Sequence, residues 1–385
     1  MNTWITSRAF FEKVIISLFV LLSAWWLILF FVYKHTFPHA DLVWAASYQI
    51  IAILGAIFGL VIAKQWGGFK SALGRSILLF STGLLLQSFG QSVFSFYNLF
   101  LEIDIPYPSI SDIGFFGSIL FYIYGALVLG NVFGAKVSLK NTFNRILIVI
   151  IPAIILFISY YFFLRAYEFD GVSPLQVFLD FGYPLGQAIY LALAISVFIL
   201  SSKFLGGVLR SSISFILVAL IVQYVADYNF LYQALNGTWV NGDYGDYIYL
   251  LSYTVLSLGL IKVGDAFYRT KFSESTKDIS EENLALNTPE ILTQIILSII
   301  KRQEKVAGQI AWEEAKDVLG KDAVDQQKEE ILIKDRSSSN LKKLIDGLVF
   351  RYKQLFGDLA IEVSKNAARN LLAELSKEET PESLK

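Results

Sequence analysis

The sequence predicts an all-α membrane protein: an eight-helix transmembrane bundle of four quasi-repeated hairpins, followed by a small, mainly helical C-terminal domain. Three observations predict it. The 385 residues are 55% hydrophobic and only 17% charged, with a mean hydropathy of +0.54, whereas ordinary soluble domains carry about 25% charged residues. From Val14 to Val263 the charges fall in short clusters between apolar runs, while the final third is rich in Glu, Lys, Asp and Arg. Eight of those runs have the roughly 20 apolar residues that cross a bilayer core.

The runs are 14–33, 43–63, 76–99, 113–134, 146–164, 178–200, 211–232 and 247–264. The first follows Arg8 and Lys13 and ends at Tyr33-Lys34-His35 without a small-residue cleavage site, so it reads as a retained helix and not as a signal peptide. Basic residues mark the cytoplasmic side of a multi-span protein. Here they recur in alternate connections: Lys64, Lys70 and Arg75, then Lys136, Lys140 and Arg145, then Lys203 and Arg210, then Arg269 and Lys271. The opposite connections carry Glu102, Asp104 and Asp112, then Arg165, Glu168, Asp170 and Asp180, then Asp243 and Asp246. Lys34, His35 and His39 after span one break the alternation, and the even span count with the later connections outweighs them. Both termini are therefore expected on the cytoplasmic side of a plasma or inner membrane.

Composition also narrows function. A pI near 6.2 and a net charge of −1 lack the basic footprint of a nucleic-acid binder. Zero Cys removes disulfides, thiolate zinc sites, iron–sulfur clusters and cysteine nucleophiles. Two His do not supply facing axial ligands for haem, and Lys262 stands at the end of span eight, away from the mid-membrane position a retinal Schiff base needs. No enzymatic activity and no cofactor are expected.

The far ends of the even-numbered spans repeat a pattern, Asp followed three residues later by an aromatic: Asp41 and Trp44, Asp112 and Phe115, Asp180 and Tyr183, Asp246 and Tyr249. Helix capping with an interfacial aromatic accounts for it; a cluster of carboxylates that recognises a ligand or cation is the second reading. Deeper polar residues are costly in a membrane and face the bundle interior or a cavity. Gln87 and Gln91 lie four apart in span three, Gln223 and Asp227 lie four apart in span seven, and Gln187 follows Pro184 in span six. Interhelical hydrogen bonding explains glutamines of this kind, whereas Asp227 marks a functional site by default. The candidate ligand-binding set is Asp227, Gln223, Gln87, Gln91, Gln187, Asp112, Asp180 and Asp246. His35 and His39, with Asp41, form a weak drawing of a metal site that Pro38 interrupts.

Two stretches carry a resemblance. One runs from Asp227 through Gly237-Thr238-Trp239 and Gly242-Asp243 to Asp246, Tyr249 and Tyr253; the other is Tyr107-Pro108-Ser109-Ile110-Ser111-Asp112-Ile113-Gly114-Phe115-Phe116. Over about 76–264 the chain resembles the multi-span membrane sensor region found ahead of bacterial diguanylate cyclase, phosphodiesterase and histidine kinase modules. The resemblance implies a sensory input role. No Gly-Gly-Asp-Glu-Phe, Glu-Ala-Leu or kinase His signature follows span eight, so those output activities do not carry over.

The expected domains are a membrane domain at 1–264, a polar linker at 265–287, a helical cytoplasmic domain at 288–377 and a disordered tail at 378–385. Asn287-Thr288-Pro289-Glu290 supplies a cap with Pro at the first helical position. Arg302, Gly308, Ala311, Glu313 and Lys316 match Arg351, Gly357, Ala360, Glu362 and Lys365 at identical spacing, which predicts two similar helical units with Gly and Ala allowing close helix contact. Glu330 to Lys334 reads as a short strand. Arg302, Gly308, Arg351 and Gly357 are the candidate interaction residues.

These features predict a membrane sensor or receptor that binds an unknown small-molecule or lipid ligand in an outward polar pocket and signals through its helical domain. Its expected partners are the lipid bilayer, that ligand, a cytoplasmic signalling protein docking on 288–377, and a second copy in a homodimer. A small solute or ion-coupled transporter is the alternative, and a membrane-anchored scaffold the third reading.

Overall fold

The computed structural model describes residues 2–103, 105–133, 141–201, 207–272 and 287–385. Asp104, Lys136, Lys140, Lys203 and most of the expected linker lie outside them.

All eight apolar runs form helices long enough to cross a membrane. They are α1 (Asn2–Leu27), α2 (Pro38–Ser47) with α3 (Gln49–Gln65), α4 (Ala72–Phe96), α5 (Ser111–Val132), α6 (Thr142–Ser159), α7 (Pro174–Ser201), α8 (Leu209–Leu235) and α9 (Tyr244–Phe272). Span two is interrupted at Tyr48, between α2 and α3, where a continuous helix is expected. Spans one, three and five each end in a π-helical turn rich in aromatics, Ile28–Tyr33, Tyr97–Leu101 and Tyr160–Leu164. The last span departs from expectation, because α9 continues to Phe272 through residues assigned to the linker. The reason is packing: Ala266 is buried and the Phe267 ring meets Trp66 edge-on with centroids 5.5 Å apart.

Spans two, three, four, six, seven and eight pack side by side into a closed ring. Spans one and five stand outside it, span one against spans eight and two and span five against span six. Their burial agrees: 22% and 11% of the residues of spans one and five are buried, against 50–61% in the others.

The ring has an internal order that links the hairpins in pairs. Spans one to four and spans five to eight make corresponding contacts, three with four as seven with eight, and two with eight as six with four. The residues correspond too. After Asp112, Phe115, Ser118, Gly125, Gly130 and Phe133 stand three, six, thirteen, eighteen and twenty-one residues on; after Asp246, Tyr249, Ser252, Gly259, Gly264 and Phe267 stand at the same steps. Gly125 lets the Phe80 ring approach to 2.9 Å of where a β-carbon would sit, and Gly259 admits Ile216 to 3.0 Å. Phe80 and Ile216 each precede their span's glutamine, Gln87 or Gln223, by seven residues. The membrane domain is thus two like halves of four spans in the same orientation, turned about an axis running along the ring.

The C-terminal domain contains α10 (Thr288–Ala307), α11 (Ile310–Leu319), a two-stranded hairpin of β1 (Val324–Asp325) and β2 (Glu330–Ile331), α12 (Ser338–Phe356) and α13 (Leu359–Leu372). The strands pair antiparallel, Val324 opposite Ile331. Asn287 and Glu290 cap α10 reciprocally, each side chain accepting from the other's backbone NH at 3.1 Å, the arrangement that satisfies two orphan donors at once. Gly308 and Gly357 do not lie inside helices in close contact. They end α10 and α12 with φ of 72° and 75°, a left-handed conformation that glycine adopts without steric cost.

The C-terminal domain rests on both halves of the ring, and α13 packs on α9 besides. The turn after α10 meets the connection between spans six and seven, where the Val208 NH donates to the Lys305 carbonyl at 3.3 Å. The turn after α12 meets the connection between spans two and three, where a β-carbon on Gly357 would stand 2.5 Å from the Trp66 carbonyl oxygen. In keeping with this, α10 packs on α8 and α12 on α4, the equivalent helices of the two halves. The end of the chain is ordered where a disordered tail is expected: Glu382–Leu384 forms a 3-10 turn, Leu384 is buried, and Ser383 donates from its NH and hydroxyl to Asp346 at 2.8 and 2.6 Å. Asp346 on α12 thus anchors the chain end to the second unit.

Candidate functional site

The end of the ring remote from the C-terminal domain holds a cavity of about 480 Å³, in the size range of small-molecule sites. It opens among spans three, four, six, seven and eight and the connections bearing Tyr107 and Trp239. Of the eight candidate ligand-binding residues, seven line it: Gln87, Gln91, Asp112, Asp180, Gln187, Asp227 and Asp246. Gln223 stands behind, where its amide NH donates to Asp227 at 2.9 Å and its carbonyl accepts from the Ser252 hydroxyl at 2.9 Å.

Asp227 is buried and held by three donors. The hydroxyls of Tyr190 and Tyr249 reach its two oxygens at 2.7 and 2.9 Å, and Gln223 completes the set. Asp112 accepts from the Tyr183 hydroxyl at 2.7 Å and from the Ser109 NH at 2.6 Å. Asp246 occupies the corresponding place in the second half and accepts from the Tyr48 hydroxyl at 3.3 Å and the Gly242 NH at 2.7 Å. Asp180 takes the hydroxyls of Tyr107 and Tyr167, both at 2.7 Å. Tyr107 and Tyr167 lie in connections outside the spans. Burial, followed by the bond to Asp180, raises the phenol of Tyr107 well above its ordinary value, and the bond to Asp180 pushes Tyr167 up to about 12, so both remain donors near neutral pH.

The repeated Asp and aromatic pairs therefore work across helices. Tyr183, which follows Asp180, bonds Asp112, and Tyr249, which follows Asp246, bonds Asp227. In the first hairpin the pair is spent on packing: the Trp44 indole donates to the Leu22 carbonyl at 2.8 Å and Asp41 meets His35 at 3.2 Å. His39 opens α2 behind Pro38, and among the described residues no three His, Asp or Glu side chains gather as a metal set.

Two glutamines differ from the rest of the lining. Gln87 and Gln187 are 3% and 4% exposed, and the side-chain oxygen of each has no hydrogen-bond partner. Gln91, in contrast, donates to the Ala45 carbonyl at 3.3 Å. The apolar part of the lining mixes aliphatic residues such as Ile119 and Leu231 with an aromatic group in which Trp239 is edge-on to Phe94 and Phe230 at centroid distances of 5.4 and 5.7 Å.

Sequence reasoning noticed Tyr183 and Tyr249 only as aromatics in a repeated pattern and Tyr107 only within a motif, and it missed that they, with Tyr48, Tyr167 and Tyr190, hold the carboxylates; it also missed the aromatic wall. The signal available was 20 Tyr and 32 Phe in one chain, more aromatic surface than an interfacial belt uses. In the C-terminal domain, Arg351 donates to Glu314 at 2.5 Å and ties the second unit to the first, while Gly308 and Gly357 form the turns that face the ring. No family model, curated protein or solved structure matches this chain.

Proposed function

We propose that the protein is a membrane receptor: a ligand enters the distal cavity from outside the cell, alters how the two halves of the ring pack, and the C-terminal domain carries that change to a cytoplasmic signalling protein. The carrying observation is the pairing of one cavity with a C-terminal domain that touches both halves, through Lys305–Val208 under one, Gly357–Trp66 under the other and α13 on α9. Ligand shifts such an equilibrium only by its differential affinity for the two packings, and a cavity shared by spans of both halves is where that difference arises. Asp227 supports the reading, because a buried carboxylate with neutral donors around it is costly to keep unless it is used.

The absence of Cys allows spin labels to be placed at will. Labels at Lys70, in the connection after span two of one half, and Arg210, at the start of α8 in the other half, are expected to change separation when purified protein is given a small-molecule extract of its own cells. Asp227→Asn is expected to abolish the change while leaving the protein in the membrane. A separation that stays constant with every extract removes the receptor reading. The two like halves in one orientation around a central cavity favour a carrier as the second reading, since parallel repeats build such cores; solute uptake into vesicles by the reconstituted chain would establish it.

A further inference from the structure

The cavity is acidic without a counter-charge. Asp112, Asp180, Asp227 and Asp246 reach its lining, and among the described residues no Lys, Arg or His does. The donors recorded on these carboxylates are phenols, amides, a hydroxyl and backbone NH groups, all neutral. Arg165 lines the adjoining depression that shares Tyr167 and Asp180, and its guanidinium lies over the Tyr161 ring, 4.2 Å from the centroid. Neutral hydrogen bonds orient a carboxylate but do not cancel its charge, and a buried charge without an opposite charge is unfavourable.

The unpartnered oxygens of Gln87 and Gln187 are independent of the carboxylates and point to the same chemistry. Both are acceptors, both are more than nine-tenths buried, and both line the cavity. A buried acceptor left without a donor is unfavourable, so an occupant that brings N–H donors relieves both oxygens. Each oxygen of Asp180 has one recorded donor, and a carboxylate oxygen accepts two. Around this polar floor stand Phe94, Phe115, Phe230 and Trp239, whose ring faces attract a cation and shelter an apolar body.

We propose that the cavity takes an organic cation, an ammonium group on an aromatic or apolar body, with the ammonium directed at the carboxylates and the Gln87 and Gln187 oxygens and the body against the aromatic wall. The inference rests on reading the cavity as the ligand site and names the class of ligand. An anionic or purely hydrocarbon occupant would leave the carboxylates uncompensated and both glutamine oxygens bare.

The test uses full-length protein in mild detergent and three probes of one shape and different charge: phenylbutylamine, phenylbutanol and phenylbutyrate. Binding is read from thermal stabilisation and from quenching of tryptophan fluorescence. The amine is expected to bind at least about tenfold more tightly than the alcohol, the equivalent of one charge-assisted hydrogen bond, and the carboxylate to bind weakest. Gln87→Leu is expected to weaken the amine about tenfold and leave the alcohol unchanged, a selectivity that a merely structural role for Gln87 does not produce. If the alcohol or carboxylate binds as tightly as the amine, the cation inference is overturned while the cavity remains a ligand site. If none of the three binds, the cation inference is overturned, and the label-separation experiment with cell extract still decides the receptor reading by itself.

Discussion

Gly67 and Gly357 meet backbone to backbone at the junction of the two domains: a β-carbon on Gly67 would lie 3.2 Å from the Cα of Gly357. Neither side can carry a side chain without separating the domains. Gly357→Ala adds strain at φ 75° and drives the new methyl to 2.5 Å of the Trp66 carbonyl oxygen. The strain alone is about 1–3 kcal/mol, because φ 75° with ψ −161° is a nearly glycine-only region. The expected outcome is faster hydrogen exchange over 338–372 with the membrane spans unchanged. Gly320→Ala is the matched comparison, since its φ is 102° with nothing within 4 Å; it is expected to lower the melting temperature of the domain and leave its attachment to the ring intact.

Spans three and four touch more closely than side chains permit. A β-carbon on Gly114 would stand 2.5 Å from both the Gly90 nitrogen and the Leu86 carbonyl oxygen. Backbone cannot move aside as a flexible side chain can, so Gly114→Ala is expected to cost about 3 kcal/mol, seen as a large fall in thermal stability in detergent. Gly117→Ala, whose β-carbon would meet only the Leu86 Cδ1 at 3.4 Å, is expected to be neutral. Equal losses for the two would mean that the helices are not held at this distance.

Asp227 is stabilised by donors from spans six, seven and eight. Tyr190→Phe and Tyr249→Phe each remove one hydroxyl, and each is expected to cost about 1–3 kcal/mol by leaving a buried charged acceptor less satisfied. In an Asp227→Asn background the same substitutions are expected to cost much less, because residues in one network are not additive. A double-mutant cycle on denaturation free energies checks this, and full additivity would show that the bonds do not matter to stability.

The chain end responds to acid through Glu379. Bonds from the Thr288 hydroxyl at 2.8 Å, and from the NH and hydroxyl of Ser376, favour its ionised form and hold it below the ordinary value of 4.5. A lowered folded-state value contributes stability that is present above the unfolded-state value and lost as pH falls through the folded one. Exchange protection of 376–385 is therefore expected to be full above about pH 5 and to drop below 4.5 before α10 and α12 open. Glu379→Gln should show the weaker protection at every pH.

The eight spans were legible because hydrophobic length is a local property, readable one window at a time. The repeat was legible only as hairpins. Asp112 and Asp246, or Gln87 and Gln223, are far apart in sequence and the identities that follow Asp112 and Asp246 are widely spaced, so their equivalence emerges from which helices touch. The polar residues of the cavity were readable by their cost in a membrane, and Gln223 was misassigned to its surface because spacing puts it on the face of Asp227 without saying which side chain stands in front. The donor role of the tyrosines was hidden for a chemical reason: a phenol at a span end serves equally as an interfacial anchor or as a donor to a carboxylate from another helix, and only packing distinguishes them. Gly308 and Gly357 were noticed for their spacing, yet a spacing does not tell a helix contact from a turn.

The seating of the C-terminal domain on both halves has a mechanical consequence. Val208 and Trp66 belong to opposite halves, so tilting, bobbing or thermal drift of the whole bundle in a fluctuating bilayer moves both anchor points together and deforms nothing beneath them. Only a displacement of one half against the other strains the domain. Such a geometry works as a differential gauge: it cancels the noise common to its two inputs and registers their difference.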